Sequence, residues 1–145
     1  MIFNFFIFLF GLVMGSFLNC VIYRLSIPNF SFWKNLGGQS RSYCPKCKHT
    51  LSWQDLIPVF SFLFLKGDCS YCRKKISIQY PIVEIITGLV FLLIFNSETG
   101  LYPIFNISYL FVISSFLIII FVYDLKHYII PDKVLFPAIG IVFLE

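Results

Sequence analysis

The sequence predicts an all-α, polytopic membrane helix bundle of about four spans, with a cytoplasmic zinc-ribbon-like four-cysteine loop between the first span and the others. Three observations predict it. The 145 residues are 59% hydrophobic and 12% charged, with a mean hydropathy of +0.87, well outside ordinary soluble usage. Long uncharged apolar runs recur along the chain, and two Cys-x-x-Cys pairs stand between the first run and the second.

The first element is the run from 2 to 23, which carries no charge and at about 1.5 Å per residue reaches roughly 33 Å, enough to cross the hydrocarbon core. A signal peptide is the competing reading, but the run is long, no basic n-region precedes it and no small-residue cleavage site closes it. Gly11, Gly15 and Asn19 recur every four residues along one stripe of this helix. Small residues let a second backbone approach, while Asn19 can hydrogen-bond across the contact or touch a ligand. Cys20 reads as a small buried hydrophobe. Residues 1–24 therefore make the first transmembrane helix.

Residues 25–80 form the loop. Its start, 26–42, has the Pro, Gly and Ser content of a linker. The run LIPVFSFLFL at 56–65 is apolar but too short to span, and reads as a helix lying in the membrane interface or packed over the loop. Cys44-Pro-Lys-Cys47 and Cys69-Ser-Tyr-Cys72 are separated by 21 residues. Two such turns supply the tetrahedral sulfur set that zinc prefers, in a closed structural site, at a gap one residue beyond the usual ribbon range. Disulfides and a thiol redox pair are the alternatives; a reducing compartment disfavours the first, and the lack of a surrounding βαβ pattern the second. Lys46, Lys48, Arg73, Lys74 and Lys75 would offset the double negative charge of zinc held by four thiolates.

Residues 81–145 begin a second group of spans. The run 81–96 carries Glu84 one turn in, 101–123 is uncharged, and the apolar segment from Val134 stops at Glu145 after about two-thirds of a crossing. The last reads as an incomplete span, and the chain as an N-terminal fragment. From Arg24 to Tyr80 nine Lys or Arg stand against Asp55 and Asp68, whereas the connection 97–100 has no basic residue. By the positive-inside rule the loop is cytoplasmic, the N-terminus is outside, and Asp124 lies at the cytoplasmic mouth of the third helix. The net charge of +4 is then mainly topological: the bilayer is the expected partner, and nucleic acid is not.

Acids beside hydrocarbon are costly, so Asp124 and Asp132 need a reason. An aspartic dyad requires two carboxyls sharing one proton. Eight helical residues would separate these two by about 12 Å, and Pro131 interrupts the helix between them. Asp132 therefore reads as a cap for the next helix, with a supporting part in a site as the lesser role. Taken alone, Asp124 reads as an interfacial acid paired with Lys126, His127 or Lys133.

Four blocks, GSFLNCVIYRL (15–25), CPKCKHTLSWQDLIPVFSFLFLKGDCSYC (44–72), ISIQYPIVE (76–84) and DLKHYIIPD (124–132), resemble in order and spacing the prepilin peptidases, or type IV leader peptidases. The resemblance implies a bacterial inner-membrane, multi-pass aspartic endopeptidase that removes the basic leader of type IV prepilins and pseudopilins after a Gly at the cytoplasmic face. Many members also N-methylate the new terminus with S-adenosylmethionine. It places Asp124 at the family's first catalytic aspartate, and makes Glu84 and Arg24 candidate partners for the charges of the substrate, or for each other. Asn19 sits near the same face. Lys126 and His127 are within reach of a substrate carbonyl or simply solvated. The family's second aspartate lies in a G-x-G-D motif that these 145 residues lack; Gln79 and Cys20 are smaller departures.

Two readings of other classes stand beside the peptidase: an inactive membrane adaptor whose zinc module binds a partner, and a fragment retaining only methyl transfer. No glycine-rich S-adenosylmethionine-binding motif is visible in the sequence.

Overall fold

A computed structural model describes residues 2–27, 42–44, 46–52, 54–97, 103–129 and 131–142. Most of the expected linker 26–42, the connection at 98–100, the Lys133 side chain and the last three residues lie outside the described residues.

The described residues form five α-helices: α1 (Ile2–Leu25), α2 (Phe60–Phe64), α3 (Gln79–Ser97), α4 (Pro103–His127) and α5 (Asp132–Val142), with a 3₁₀ turn at Gln54–Leu56. They contain no strand, only two isolated antiparallel bridges, Tyr43 with Thr50 and Asp68 with Lys75. Three helices, α1, α3 and α4, are long and apolar enough to cross a membrane. Helical hydrogen bonding satisfies their backbones internally, which an apolar surround demands. The punctuation follows the chain chemistry. Pro81 falls in the first turn of α3 and Pro103 opens α4, where a missing N–H costs nothing, and Lys126 and His127 close α4 at the negative end of its dipole.

The closest packing joins α1 and α3, which run antiparallel. A Cβ built on Gly11 would lie 2.6 Å from the Gly88 Cα, and one on Gly15 the same distance from the Glu84 Cα. The two backbones thus touch where the glycine stripe was expected to admit a neighbour. Asn19 extends the stripe, and its amide donates to the carbonyl of Tyr80 at 2.9 Å. At the opposite end the Asn4 amide donates to Asn96 at 3.2 Å.

The lower half of α4 packs against α1, together with α5, through a cluster of Leu18, Val21, Ile22, Ile119 and Val134. Higher up, Phe91 and Phe111 stack with centroids 4.0 Å apart and Phe10 beside them. Little of the rest of α4 is covered among the described residues: Leu117, Phe121 and Leu125 are all more than half exposed. Helix α5 begins at Asp132 itself, and the Pro131 carbonyl accepts the N–H groups of Val134 and Leu135. Asp132 thus stands in the first helical turn, a position away from a cap, where its charge still meets the positive end of the dipole. Pro137 lies inside α5.

Candidate metal centre and active-site rim

The segment between α1 and α3 folds around its cysteines. Each Cys-x-x-Cys turn repeats one backbone design. In the first, Lys48 donates to the Cys44 carbonyl at 2.8 Å and Cys44 donates to the His49 carbonyl at 3.0 Å. In the second, Arg73 donates to the Cys69 carbonyl at 2.9 Å and Cys69 donates to the Lys74 carbonyl at 3.0 Å. The residue after each second cysteine, Lys48 or Arg73, takes a left-handed conformation, with φ of 58° and 52°. That turn points both sulfurs of a pair to one side.

The four sulfurs of Cys44, Cys47, Cys69 and Cys72 lie within 4.8 Å of one another. All five cysteines of the chain are free thiols. Four soft donors converging from paired turns fit one tetrahedral metal ion. The thiol acidities agree with that need for a cation. Burial raises the Cys44 thiol, but the backbone N–H groups of Cys47 and Lys46 outweigh it and bring it down to about 7. The His49 N–H draws Cys47 down, yet burial and hydrogen bonding with Cys44 and Cys72 push it up to about 11. The thiols therefore cannot all ionise at neutral pH on their own, and a bound dication is what would let them.

A second set of side chains fastens the two turns to each other. The carboxylate of Asp55 accepts from the Ser52 N–H at 3.0 Å, the Ser52 hydroxyl at 2.8 Å, the Ser70 hydroxyl at 2.8 Å and the Tyr71 hydroxyl at 3.3 Å. Burial opposes its charge, but these donors hold its pKa below the ordinary aspartate value. His49 and Tyr71, one from each turn, stack with centroids 3.7 Å apart. Sequence reasoning missed this network. The Ser52-x-x-Asp55 spacing carried the local half of it as a capping signature; the contacts to Ser70 and Tyr71 depend on the two turns having met.

Two contacts tie the cysteine segment to the helices, and a third closes the helix seam beside them. Tyr23 of α1 meets Tyr43 edge-on, with centroids 6.0 Å apart. Asn19 holds the Tyr80 carbonyl, as described, while its Oδ1 is buried without a hydrogen-bond partner. Glu84, 7% exposed, accepts the N–H of Val59 at 2.7 Å. Val59 is β-branched, yet its φ is 60°, a costly conformation that this bond helps to hold. Glu84 is thus engaged by the loop backbone, and Asn19 and Glu84 come together on the α1–α3 seam. Arg24 lies in the last turn of α1, at the same end of the bundle.

Asp124 is exposed in the last turn of α4, and its carbonyl accepts the Tyr128 N–H at 2.7 Å. It lines an open groove of about 470 Å³ whose other walls are Leu117, Ile118, Ile120 and Phe121. One turn on, His127 stacks on Tyr123 with centroids 4.3 Å apart. Because α1 ends and α3 begins at the cysteine segment, and α4 runs antiparallel to α3, Asp124 shares that end of the molecule with Asn19, Arg24 and Glu84.

Helices long and apolar enough to span a membrane, with four converging thiols at one end and a carboxylate at the foot of an apolar groove, define a polytopic membrane protein. Residues 9–97 match the family model of the bacterial peptidase A24 N-terminal domain. The chain belongs to this family, the prepilin peptidases. It is 35% identical to the prepilin leader peptidase/N-methyltransferase of Myxococcus xanthus, over 94% of this chain and 38% of that protein. Against the Vibrio cholerae protein of the same name it is 35% identical, over 92% of this chain and 53% of the relative. The type 4 prepilin-like proteins leader peptide-processing enzyme of Escherichia coli is 38% identical, over 84% of this chain and 49% of its own. The chain thus spans about half the length of these relatives or less. No solved structure matches it.

Proposed function

We propose that this chain is the N-terminal part of a membrane aspartic endopeptidase that removes the leader peptide of type IV prepilins or pseudopilins at the cytoplasmic face, and that N-methylates the new terminus with S-adenosylmethionine. The observation that carries the reading is Asp124, exposed at the end of α4 beneath an apolar groove, in a chain of this family. Hydrolysis by an aspartic dyad has one carboxylate deprotonate the attacking water while the other, protonated, donates to the carbonyl oxygen. Asp124 supplies one of these groups; the other comes from outside residues 1–145, which contain no G-x-G-D.

A prepilin begins with a basic leader followed by a long apolar helix, so its scissile bond sits where lipid ends. An acid placed at the foot of an apolar helix suits such a bond. Arg24 is assigned to an acidic group of the substrate, while Glu84 and Asn19 hold the rim in shape and Asp132 orients the segment after Pro131. The cysteine module, residues 25–80, holds zinc through Cys44, Cys47, Cys69 and Cys72, and the metal supplies cross-linking and no chemistry. The N-terminus lies outside and the module inside, in the inner membrane of a bacterium.

The test uses the chain together with its downstream reading frame and a prepilin substrate. Asp124→Asn is expected to abolish cleavage while membrane insertion and expression are unchanged, and Asp124→Cys to take up a membrane-impermeant maleimide beyond the labelling of the wild-type thiols only after cells are opened. Retained cleavage would remove Asp124 from the mechanism, and labelling of intact cells would invert the topology.

A further inference from the structure

The loop hides part of the molecule's apolar surface and presents the rest. In α2 and the turn before it, Phe62 points inward: its ring lies 3.1 Å from where a Cβ on Gly67 would stand. Its neighbours point out. Leu56, Ile57, Phe60, Leu63 and Phe64 are all exposed, Phe64 by 84% and Leu63 by 65%. A short helix of a soluble loop would bury such residues; this one buries none, half-covers Phe62 and offers the remainder.

Depth explains what meets them. Helix α3 has 19 residues, about 29 Å, which only just matches a hydrocarbon core of roughly 30 Å. Its first turn therefore cannot stand far outside the membrane boundary, and Glu84, five residues in, lies about 7 Å deeper along the helix. The 2.7 Å bond from Val59 to Glu84 brings the start of α2 to that same level. Ile78 and Ile82, 66% and 46% exposed, carry the apolar surface from the foot of α3 onto its lipid-facing side. Lys66, Arg73, Lys74 and Lys75 are exposed in the same module, the charge sign that suits anionic headgroups.

We propose that Leu56, Ile57, Phe60, Leu63 and Phe64 form an interfacial foot, inserted at the boundary of headgroups and acyl chains in an anionic bilayer and held at that depth by the bond between Glu84 and Val59. The foot does not depend on the peptidase reading. It seats the metal module against the membrane surface and so fixes the height of the rim on which Asp124 stands. Apolar side chains at this boundary gain burial, and the exposed lysines and arginine add attraction to anionic lipid.

The experiment replaces Trp33 and Trp53 by Phe in the full chain, introduces Phe64→Trp, and reconstitutes it in nanodiscs of phosphatidylethanolamine and phosphatidylglycerol. Lipids brominated high on the acyl chain are expected to quench the single tryptophan, its emission to be blue-shifted, and aqueous acrylamide to have little effect. Quenching by acrylamide with no loss to bromolipid would overturn the proposal, because the surface would then face water. Protection from both quenchers would overturn it equally, because a protein surface would then cover the foot. Leu63→Trp gives the same readouts if Phe64→Trp fails to insert.

Discussion

Asp55 is the side chain on which the two cysteine turns converge, and its environment sets a pH dependence with a definite sign. Its pKa in the fold is held below the ordinary 3.8 by the Ser52, Ser70 and Tyr71 donors, against the opposing effect of burial. The stabilisation from its ionised form is therefore fully present above that value and is lost as pH falls through the lower folded value. Asp55→Asn should cost the module about 1–3 kcal/mol near neutrality, since donors in a part-buried site lose a charged acceptor. It should also flatten the acid limb of stability. Limited proteolysis of residues 44–75 as a function of pH, wild type against variant, reads both effects. A wild-type limb no steeper than that of the variant would deny Asp55 the role. Other residues reported their parts less directly. The cysteines announced their turns by spacing alone, whereas Lys48 and Arg73 gave no sign of left-handed backbone, a position that glycine usually takes.

Among the elements, α1 and α3 make the contact most sensitive to size. Alanine at Gly15 would press its methyl against the Glu84 Cα, and at Gly11 against the Gly88 Cα, so the helices must separate. Alanine at Gly88 meets the Phe8 ring at 2.8 Å, the far end of a side chain that can turn away. Gly15→Ala should therefore destabilise the protein by about 1–3 kcal/mol, and Gly88→Ala by clearly less. Thermal denaturation in detergent separates the two, and equal losses would mean that the seam is not packed backbone to backbone. The glycine stripe was legible because four-residue spacing places small residues on one helical face whatever the partner. The helices were legible to within a few residues for a similar reason: an uncharged run of this length has one stable form in lipid. The loop helix was less so. The apolar stretch 56–65 takes in the end of a 3₁₀ turn, Gln54–Leu56, and a five-residue helix, parted at Val59, whose left-handed backbone no local propensity favours and whose N–H meets Glu84.

On the scale of the whole molecule, the metal module and the bundle are one mechanical unit. The Tyr23–Tyr43 contact and the Glu84–Val59 bond join them at two points. Replacing Cys44 and Cys69 with Ser should remove one bound metal ion per chain, open residues 44–72 to protease, and also lower the melting temperature of the bundle. Metal analysis under reducing conditions and a melt monitored on the helices check this. Wild-type protein free of zinc would defeat the metal assignment, and an unchanged bundle melt would show the tethers to be weak. The architecture and the cysteine set could be read from the chain because both follow from periodicity and spacing. The tethers could not, since each joins residues far apart in sequence, and the one to Glu84 uses a backbone N–H that carries no identity.

The seam between α1 and α3 also bears on how the chain is made. Synthesis runs from the N-terminus, so α1 enters the bilayer with Gly11, Gly15 and Asn19 facing no permanent neighbour, and the helix that matches them is complete only when Ser97 has left the ribosome. The cysteine segment is made in between and is complete before that partner arrives. Folding of that segment shortens the tether between the two hydrophobic stretches and brings the second towards the first, so that pairing within the lipid draws on structure formed outside it.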